Sequence, residues 1–213
     1  ANFFKNGYQY IISATPERFL SKRGNKLISQ PIKGTAKRSA DRVADDLAKH
    51  QLRHDPKELS ENVMIVDLVR NDLAKSAQKG SVQVEELFGI YSFKQVHQMI
   101  STIVCQVADH LSATAIIRNT FPMGSMTGAP KISAMELIEK YERTKRGIYS
   151  GSVGYFSANG DFDFNVIIRT LLYDAETNYL SFQVGSAITF DADAEQEYVE
   201  CMLKAQAIIQ LLS

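Results

Sequence analysis

Hydrophobic positions along the chain follow two periods, which divide it into strand-like and helix-like segments. Segments dominated by β-branched and aromatic residues predict β-strands; they are Tyr8–Ala14, Phe19–Lys22, Lys26–Ser29, Val82–Phe88, Phe93–Val107, Tyr149–Ser157, Phe162–Tyr173 and Tyr179–Ser186. Segments with helical periodicity predict α-helices; they are Ser39–His50, Pro56–Gln78, Ala113–Thr120, Pro130–Arg146 and Ala194–Leu212. Strands and helices come in blocks, which favours an α+β fold with antiparallel sheets over a parallel sheet with strict alternation.

The amino-acid composition of the chain argues against several classes of function. The 213 residues are 45% hydrophobic, which is enough for a packed core, and the absence of a linker-like stretch predicts one domain. Lys+Arg and Asp+Glu both count 24 without a basic stripe, which argues against nucleic acid as a partner. The apolar runs are far shorter than a membrane span needs, and no signal-peptide pattern opens the chain. Cys105 and Cys201 lie too far apart to indicate a disulfide scaffold or a zinc site, which favours a reducing, cytoplasmic compartment.

The C-terminal helix has the clearest local pattern of ionisable residues. Glu197, Glu200 and Lys204 lie within about 60° of arc on one helical face. Apolar residues occupy most of the remaining circumference, so we expect the helix to be largely buried. The polar face is either a solvated stripe with a Glu200–Lys204 ion pair, or a site for a hard cation such as Mg²⁺. Spacing alone leaves both interpretations open.

Two charged residues, Glu61 and Lys33, each have two interpretations that depend on the residues beside them. Glu61 precedes the mostly apolar helical stretch Asn62–Leu73, with Ser60 as a possible cap, and an acidic residue in a first helical turn is ordinary. Lys33 lies between Ile32 and a Gly-Thr pair just before a helix. It is either a basic loop residue or a partly desolvated lysine that keeps a neutral, nucleophilic amine.

His97 and Arg169 are polar residues on predicted strands. His97 shares a strand face with Ser101, and a single strand histidine is more often structural than catalytic. Arg169 shares a strand face with Asn165 in an otherwise apolar segment. A buried arginine needs an anion, which is either a side chain or a substrate carboxylate.

Eight blocks of sequence, in order along the chain, resemble the chorismate-utilising enzymes. The blocks are Thr15-Pro16-Glu17-Arg18-Phe19, Pro31-Ile32-Lys33-Gly34-Thr35, Glu61 to Asp72, Val96-His97, Thr127-Gly128-Ala129-Pro130-Lys131, Tyr149-Ser150-Gly151, Ile168-Arg169-Thr170 and Glu197 to Lys204. The resemblance implies a β-sandwich of two stacked antiparallel sheets flanked by helices. It also implies chorismate as the substrate.

The resemblance further assigns roles to individual residues. It implies that Glu61, Glu197 and Glu200 bind Mg²⁺. It implies that Glu17 is a general acid, that Lys33 is a nucleophile toward the chorismate ring, and that His97 lies near the reacting hydroxyl. It implies substrate binding by a further set of residues, namely Thr35, Tyr149, Arg169, Gly185 and Lys204.

Lys33 indicates the branch of the family. A Pro-Ile-Lys-Gly-Thr segment is similar to that of aminodeoxychorismate synthase component I, whereas similar anthranilate synthases have alanine at the lysine position. The first branch implies amination of chorismate with ammonia from a glutamine amidotransferase subunit. Anthranilate synthase component I and an inactive, truncated chorismate-binding module are the alternatives. The chain departs from the family at Ala187, where glycine is usual, and the N-terminal part of the catalytic domain is expected to be missing.

Overall fold

The computed structural model describes residues 1–108, 110–190 and 192–212. It contains strands β1 Asn2–Asn6, β2 Gln9–Ser13, β3 Arg18–Arg23, β4 Lys26–Gln30, β5 Ile32–Lys37, β6 Gln83–Ser92, β7 Val96–Gln106, β8 Ser152–Phe156, β9 Phe162–Val166, β10 Thr170–Asp174 and β11 Tyr179–Ser181. The helices are α1 Arg42–His54, α2 Pro56–Ala74, α3 Ala113–Thr120, α4 Lys131–Tyr141 and α5 Ala194–Leu212, with a short 3₁₀ turn at Gly124–Met126.

The chain divides into two compact units, each built from separated stretches. The first unit comprises Ala1–Pro16, Lys145–Val153 and Val166–Ser213, and the second unit comprises Glu17–Thr144 and Gly154–Asn165. The single domain expected from the sequence stays a prediction.

The first unit contains a four-stranded antiparallel sheet in the order β1-β2-β10-β11. β2 and β10 pair from Ser13 opposite Thr170 to Gln9 opposite Asp174. The buried hydroxyl of Thr170 donates a hydrogen bond to the buried Ser13 Oγ at 2.8 Å, which satisfies both side chains at the end of this pairing.

Helix α5 of the first unit has the predicted bounds but not the predicted burial. Its buried residues are Glu197, Ala205 and Ile208. Val199 and Leu203 are 52% and 64% exposed, so the expectation of a largely buried helix is wrong for this chain. A hydrophobic circumference indicates what a helix can bury, but it does not supply the surface that would cover it.

The second unit is organised around a seven-stranded antiparallel sheet in the order β5-β7-β4-β3-β9-β8, with β6 on the other edge of β7. β7 is its most buried strand. Helix α2 begins after Asp55, whose side chain accepts a hydrogen bond from the Glu58 N–H, with Pro56 in the first turn. On the buried face of α2, Asn62 accepts a 2.6 Å hydrogen bond from the Ser101 hydroxyl of β7.

The α+β class with antiparallel sheets and helices is confirmed, and α3 and α5 have the predicted bounds. Some strand predictions are wrong in part, and one strand lies where no strand was predicted. The predicted strand Phe162–Tyr173 is two strands, β9 and β10, which belong to different sheets. The predicted strand Tyr179–Ser186 ends at Ser181, and β5 forms where the sequence suggested a loop.

No helix in the described stretches of the chain has the length and apolar character needed to cross a membrane.

Candidate active site

Lys33 lies on β5 of the second unit, at a register shift between Ile32 and Thr35 in the pairing with β7. The next residue, Gly34, has φ +91°, and a Cβ there would lie 3.0 Å from Leu52 Cδ1 and 3.4 Å from Met99 Cβ. Glycine is therefore favoured by the backbone conformation, and a larger residue would also crowd Leu52 and Met99. The loop interpretation of Lys33 is wrong, because the residue belongs to an irregular strand.

The Lys33 ammonium pairs with a carboxylate of α2. Its Nζ lies 3.3 Å from Glu61 Oε2, and the two side chains are 18% and 10% exposed. Glu61 is in the second turn of α2, because Asp55, and not Ser60, caps the helix. The interpretation of Glu61 as an ordinary first-turn residue is therefore wrong.

Glu17 lies in the segment between β2 and β3 and is 7% exposed. Burial raises the pKa of its carboxyl group to about 7, while a hydrogen bond from Ser125 and the charge of Lys33 act in the opposite direction. A large fraction of this carboxyl group is therefore protonated near neutral pH. Together, Glu17, Lys33 and Glu61 place an acid, an amine and a carboxylate in one unit.

Ser125, the hydrogen-bond partner of Glu17, was not found from the sequence. It lies in the Gly124–Met126 turn, directly before the Thr127-Gly128-Ala129-Pro130 block. Its place beside this recognised block is the feature of the sequence that could have indicated a functional residue. A Cβ on Gly124 would lie 2.8 Å from Leu68 Cδ2, so glycine lets the turn pack closely on α2. Glu17 and Ser125 also line a cavity of about 20 Å³, which has room for about one water molecule.

Lys131 holds the segment that carries Ser125. Its ammonium pairs with Asp72 of α2 and donates to the backbone carbonyls of Thr120 at 3.3 Å and Pro122 at 2.7 Å. The Lys131 side chain is 13% exposed, and the Asp72 side chain is 5% exposed. Burial lowers the pKa of Lys131, and the hydrogen bond and charge of Asp72 oppose that shift. The three N–H donors of the Lys131 ammonium thus connect the turn segment to α2.

We expect Lys131→Met to lower the free energy of unfolding by about 2–3 kcal/mol, because it leaves Asp72 buried with only Lys75 as a cationic partner and frees two carbonyls. Lys140→Met on the same helix, where the lysine is exposed, should cost less than about 1 kcal/mol. Urea denaturation of both variants measures the difference. Equal stabilities would show that Lys131 does not hold the segment.

His97 is fully buried within a hydrogen-bond network of the second unit. Its Nε2 lies 3.0 Å from Asp45 Oδ1 and its Nδ1 lies 2.9 Å from Ser92 Oγ. Asp45 also accepts hydrogen bonds from Arg38 and from the Ser39 N–H, and these lower the pKa of its carboxyl group. Both ring nitrogens of His97 therefore have protein partners, and its assigned place near a reacting hydroxyl stays a prediction.

Thr35 and Gln98 are directly opposite each other in the pairing of β5 with β7, whereas His97 is opposite Ala36. Directly paired residues share a sheet face, and successive residues alternate between faces. Gln98, and not His97, therefore lies on the same face as the substrate-binding candidate Thr35. Alternation along the strand was visible in the sequence, but the pairing partner was not.

Tyr149 and Gly185 lie close together in the first unit. A Cβ built on Gly185 would lie 3.0 Å from the Tyr149 hydroxyl oxygen, so a larger residue would crowd that hydroxyl. Lys204 Nζ donates to the Gly185 carbonyl at 3.0 Å. Ala187 follows in the same irregular stretch, which ends before α5.

Arg169 is not on a strand, contrary to the prediction. It lies in the bend between β9 and β10 with φ +51°, and its carbonyl accepts a 3.1 Å hydrogen bond from the Ala14 N–H. The residue is exposed; desolvation of its guanidinium lowers its pKa, and the nearby Tyr149 hydroxyl raises it. A positive φ at a non-glycine residue is uncommon and concentrates at functional sites.

Glu197 and Glu200 lie in the first turns of α5. Glu197 is 4% exposed, whereas Glu200 forms the predicted i,i+4 ion pair with Lys204. The solvated-stripe interpretation therefore fails for Glu197, and the expected Glu200–Lys204 ion pair is present. Within residues 1–108, 110–190 and 192–212, no group of three or more His, Cys, Asp or Glu side chains is arranged to hold a metal ion. Carboxylate oxygens, as on Glu61, Glu197 and Glu200, nonetheless fit the ligand chemistry of Mg²⁺.

A family model described as chorismate binding enzyme matches residues 1–210. The chain is 45% identical over 199 residues to a probable chloroplastic aminodeoxychorismate synthase of Oryza sativa subsp. japonica, covering 92% of this chain and 22% of that protein. It is 41% identical over 202 residues to aminodeoxychorismate synthase component 1 of Klebsiella aerogenes, covering 95% and 44%. It is 38% identical over 206 residues to anthranilate synthase component 1 of Cereibacter sphaeroides, covering 97% and 41%.

Among solved structures, anthranilate synthase component I from Streptococcus pneumoniae matches with a TM-score of 0.83 and 33% identity, over 96% of this chain and 45% of that one. The menaquinone-specific isochorismate synthase of Escherichia coli, at 23% identity and a TM-score of 0.85, shares the fold over 98% of this chain and 47% of that one. This chain spans less than half the length of each of these proteins.

Proposed function

The chain belongs to the chorismate binding enzyme family, and from that premise we propose that it performs the chemistry of aminodeoxychorismate synthase component I. The proposed reaction converts chorismate and ammonia to 4-amino-4-deoxychorismate and water. The observation that carries the proposal is the position of Lys33, on an irregular strand 3.3 Å from Glu61 and within electrostatic reach of the buried acid Glu17.

In the proposed first step, the Lys33 ammonium beside Glu61 first gives up one proton, and the resulting neutral amine forms a bond to ring carbon 2 of chorismate. Both ring double bonds shift, and the bond from carbon 4 to the hydroxyl oxygen breaks. Hydroxide is a poor leaving group, so the step needs a proton donor at that oxygen. Glu17 supplies the proton, and water departs.

In the second step, ammonia attacks ring carbon 4, both double bonds shift back, and the Lys33 amine leaves carbon 2. The new amino group therefore stands on the carbon that carried the hydroxyl. Glu17, left as a carboxylate by the first step, can accept a proton from the added ammonia. Glu17 thereby regains its proton, and the released Lys33 amine takes back the proton that it gave up before the first step.

The two carboxylates of chorismate need cationic or N–H partners. We propose that Tyr149 and Arg169 bind the enolpyruvyl carboxylate, with backbone N–H groups near Gly185, and that Thr35 and Lys204 also contribute to substrate binding. The contact of Lys204 with the Gly185 carbonyl supports a positioning role for this lysine.

Arg169→Lys should raise the KM for chorismate on the order of tenfold, because lysine cannot reproduce a planar bidentate grip on a carboxylate. Arg143→Lys, at another exposed arginine, serves as the matched control. Steady-state kinetics with varied chorismate give both values. An unchanged KM in the Arg169 variant would show that this residue does not bind the substrate carboxylate and has a structural role.

For the cofactor, we propose Mg²⁺ with Glu61, Glu197 and Glu200 as its carboxylate ligands, on the strength of the sequence resemblance. When bound, the ion would hold the ring carboxylate and strengthen electron withdrawal from the ring. The protein carboxylates would otherwise repel a dianionic substrate.

Glu200→Gln should therefore shift the Mg²⁺ activation curve to higher concentration. Glu195→Gln, five residues earlier on α5 and exposed, should leave the curve in place. Activity measured against Mg²⁺ concentration compares the two variants. Superimposable curves for wild type and Glu200→Gln would remove Glu200 from the ligand set.

The ammonia source is proposed to be a glutamine amidotransferase subunit, in keeping with the name component 1 of the bacterial relative. The cytoplasm is the proposed compartment, and the free thiols Cys105 and Cys201 are compatible with it.

Anthranilate synthase component I is the second candidate, because relatives of that name are 38% and 39% identical to this chain. One experiment separates the two. The protein is incubated with chorismate, ammonium and Mg²⁺, and the product is identified by liquid chromatography and mass spectrometry. 4-Amino-4-deoxychorismate supports the proposal, anthranilate supports the second candidate, and no consumption of chorismate rejects catalysis by this chain.

A further inference from the structure

Two histidines near the end of α1 form a pair that the proposed reaction does not use. His50 and His54 are four residues apart on one helical face, and both are exposed. Their ring centroids lie 4.2 Å apart with an interplanar angle of 29°. Two imidazoles are thus gathered at one point of the surface.

A backbone contact fixes the tautomer of His54. Its Nδ1 lies 2.7 Å from the carbonyl oxygen of His50. A carbonyl oxygen can only accept, so Nδ1 must carry the proton, and in the neutral ring Nε2 then presents a lone pair. Metal-binding histidines commonly have this arrangement, with one ring nitrogen donating to a carbonyl and the other bound to the ion.

We propose that His50 and His54 form a surface site for a divalent transition-metal ion such as Zn²⁺, Ni²⁺ or Cu²⁺, with water completing the coordination. Imidazole nitrogen suits these ions, whereas Mg²⁺ prefers oxygen ligands. The site is therefore chemically distinct from the proposed magnesium ligands and does not rest on the proposed function. With two protein ligands, the ion is expected to exchange readily with solvent.

The test is calorimetric titration of the metal-free protein with Zn²⁺ at neutral pH, with Mg²⁺ present in excess. His50→Gln and His54→Gln should each weaken Zn²⁺ binding by more than about tenfold, the lower bound found for losing even a supporting contact. Both residues are exposed, so the variants should fold, and their unfolding midpoints verify this. His110→Gln, at another exposed histidine, and Cys201→Ser are the matched controls.

Saturable binding of one Zn²⁺ that is weakened more than about tenfold in each histidine variant and unchanged in both controls supports the site. Absence of saturable binding overturns it, and so does a smaller loss of affinity in either histidine variant. A decrease only in Cys201→Ser would assign the ion to the thiol and would equally overturn the proposal. Retention of the untagged protein on immobilised Ni²⁺, compared across the same variants, provides an independent readout.

Discussion

Lys33→Ala should eliminate a covalent enzyme adduct that the wild-type protein forms with chorismate in the absence of ammonia. The adduct arises because Lys33 attacks ring carbon 2 and, without ammonia, has no partner to displace it. Mass spectrometry of the intact protein and of its peptides should locate the added mass on Lys33. In the variant, ammonia should reach carbon 2 directly, and the product should shift toward anthranilate.

Lys33→Arg is the matched control for charge, because arginine keeps a cation near Glu61 but is not a nucleophile at neutral pH. It should also form no adduct. If the wild type makes aminodeoxychorismate without a detectable adduct, and Lys33→Ala makes it at the same rate, the covalent mechanism is wrong. Lys33 would then contribute charge alone.

Glu17→Gln should lower turnover by about 10²–10⁴-fold, the usual contribution of a general acid. Glutamine keeps the size of the side chain but cannot deliver the proton. Because burial raises the pKa of Glu17 to about 7, wild-type turnover should fall as the pH rises through that value. Ser125→Ala should move this decline to higher pH, because the Ser125 hydrogen bond lowers the pKa that burial raises. A pH–rate profile unchanged by both substitutions would exclude Glu17 as the acid.

The same carboxyl group affects stability, which is measured without substrate. Between its unfolded value near 4.5 and its folded value of about 7, the folded state binds more protons than the unfolded state. Unfolding free energy should therefore fall as the pH rises through this window, by up to about 3 kcal/mol. Urea denaturation at pH 5 and pH 7.5 should show this loss in wild type but not in Glu17→Gln.

Local periodicity predicted the elements whose burial pattern is regular. α3 and α5 were predicted with their observed bounds, and the order of strands and helices gave the α+β class. β5 was missed because Lys33, Gly34 and Thr35 interrupt any alternation of apolar and polar residues. The apolar run on both sides of Arg169 predicts one continuous strand. In the structure, a positive φ at Arg169 divides this run into two strands that belong to different sheets.

Contacts between distant residues explain what the sequence could not supply about the site. The pairs of Glu17 with Ser125 and of Lys131 with Asp72 join positions that have no common local pattern. The sequence shows the motif Thr127 to Lys131, but the role of Lys131 in connecting the turn segment to α2 depends on the position of Asp72 in the folded structure. Similarly, the position of Glu61 within α2 depends on which residue caps the helix. Asp55 and Ser60 both have side chains suited to an N-cap, and in the structure Asp55 is the cap.

The pairing of β2 with β10 has a consequence for how the chain acquires its structure during synthesis. The hydrogen bond from Thr170 to Ser13 spans 157 residues, and closing a flexible loop of that length costs about 4 kcal/mol of chain entropy. The hairpins β3–β4 and β6–β7 of the second unit close much shorter loops and form sooner. On the ribosome, the edge of β2 that pairs with β10 therefore stays unpaired until about 157 further residues have been made, and the first unit completes late.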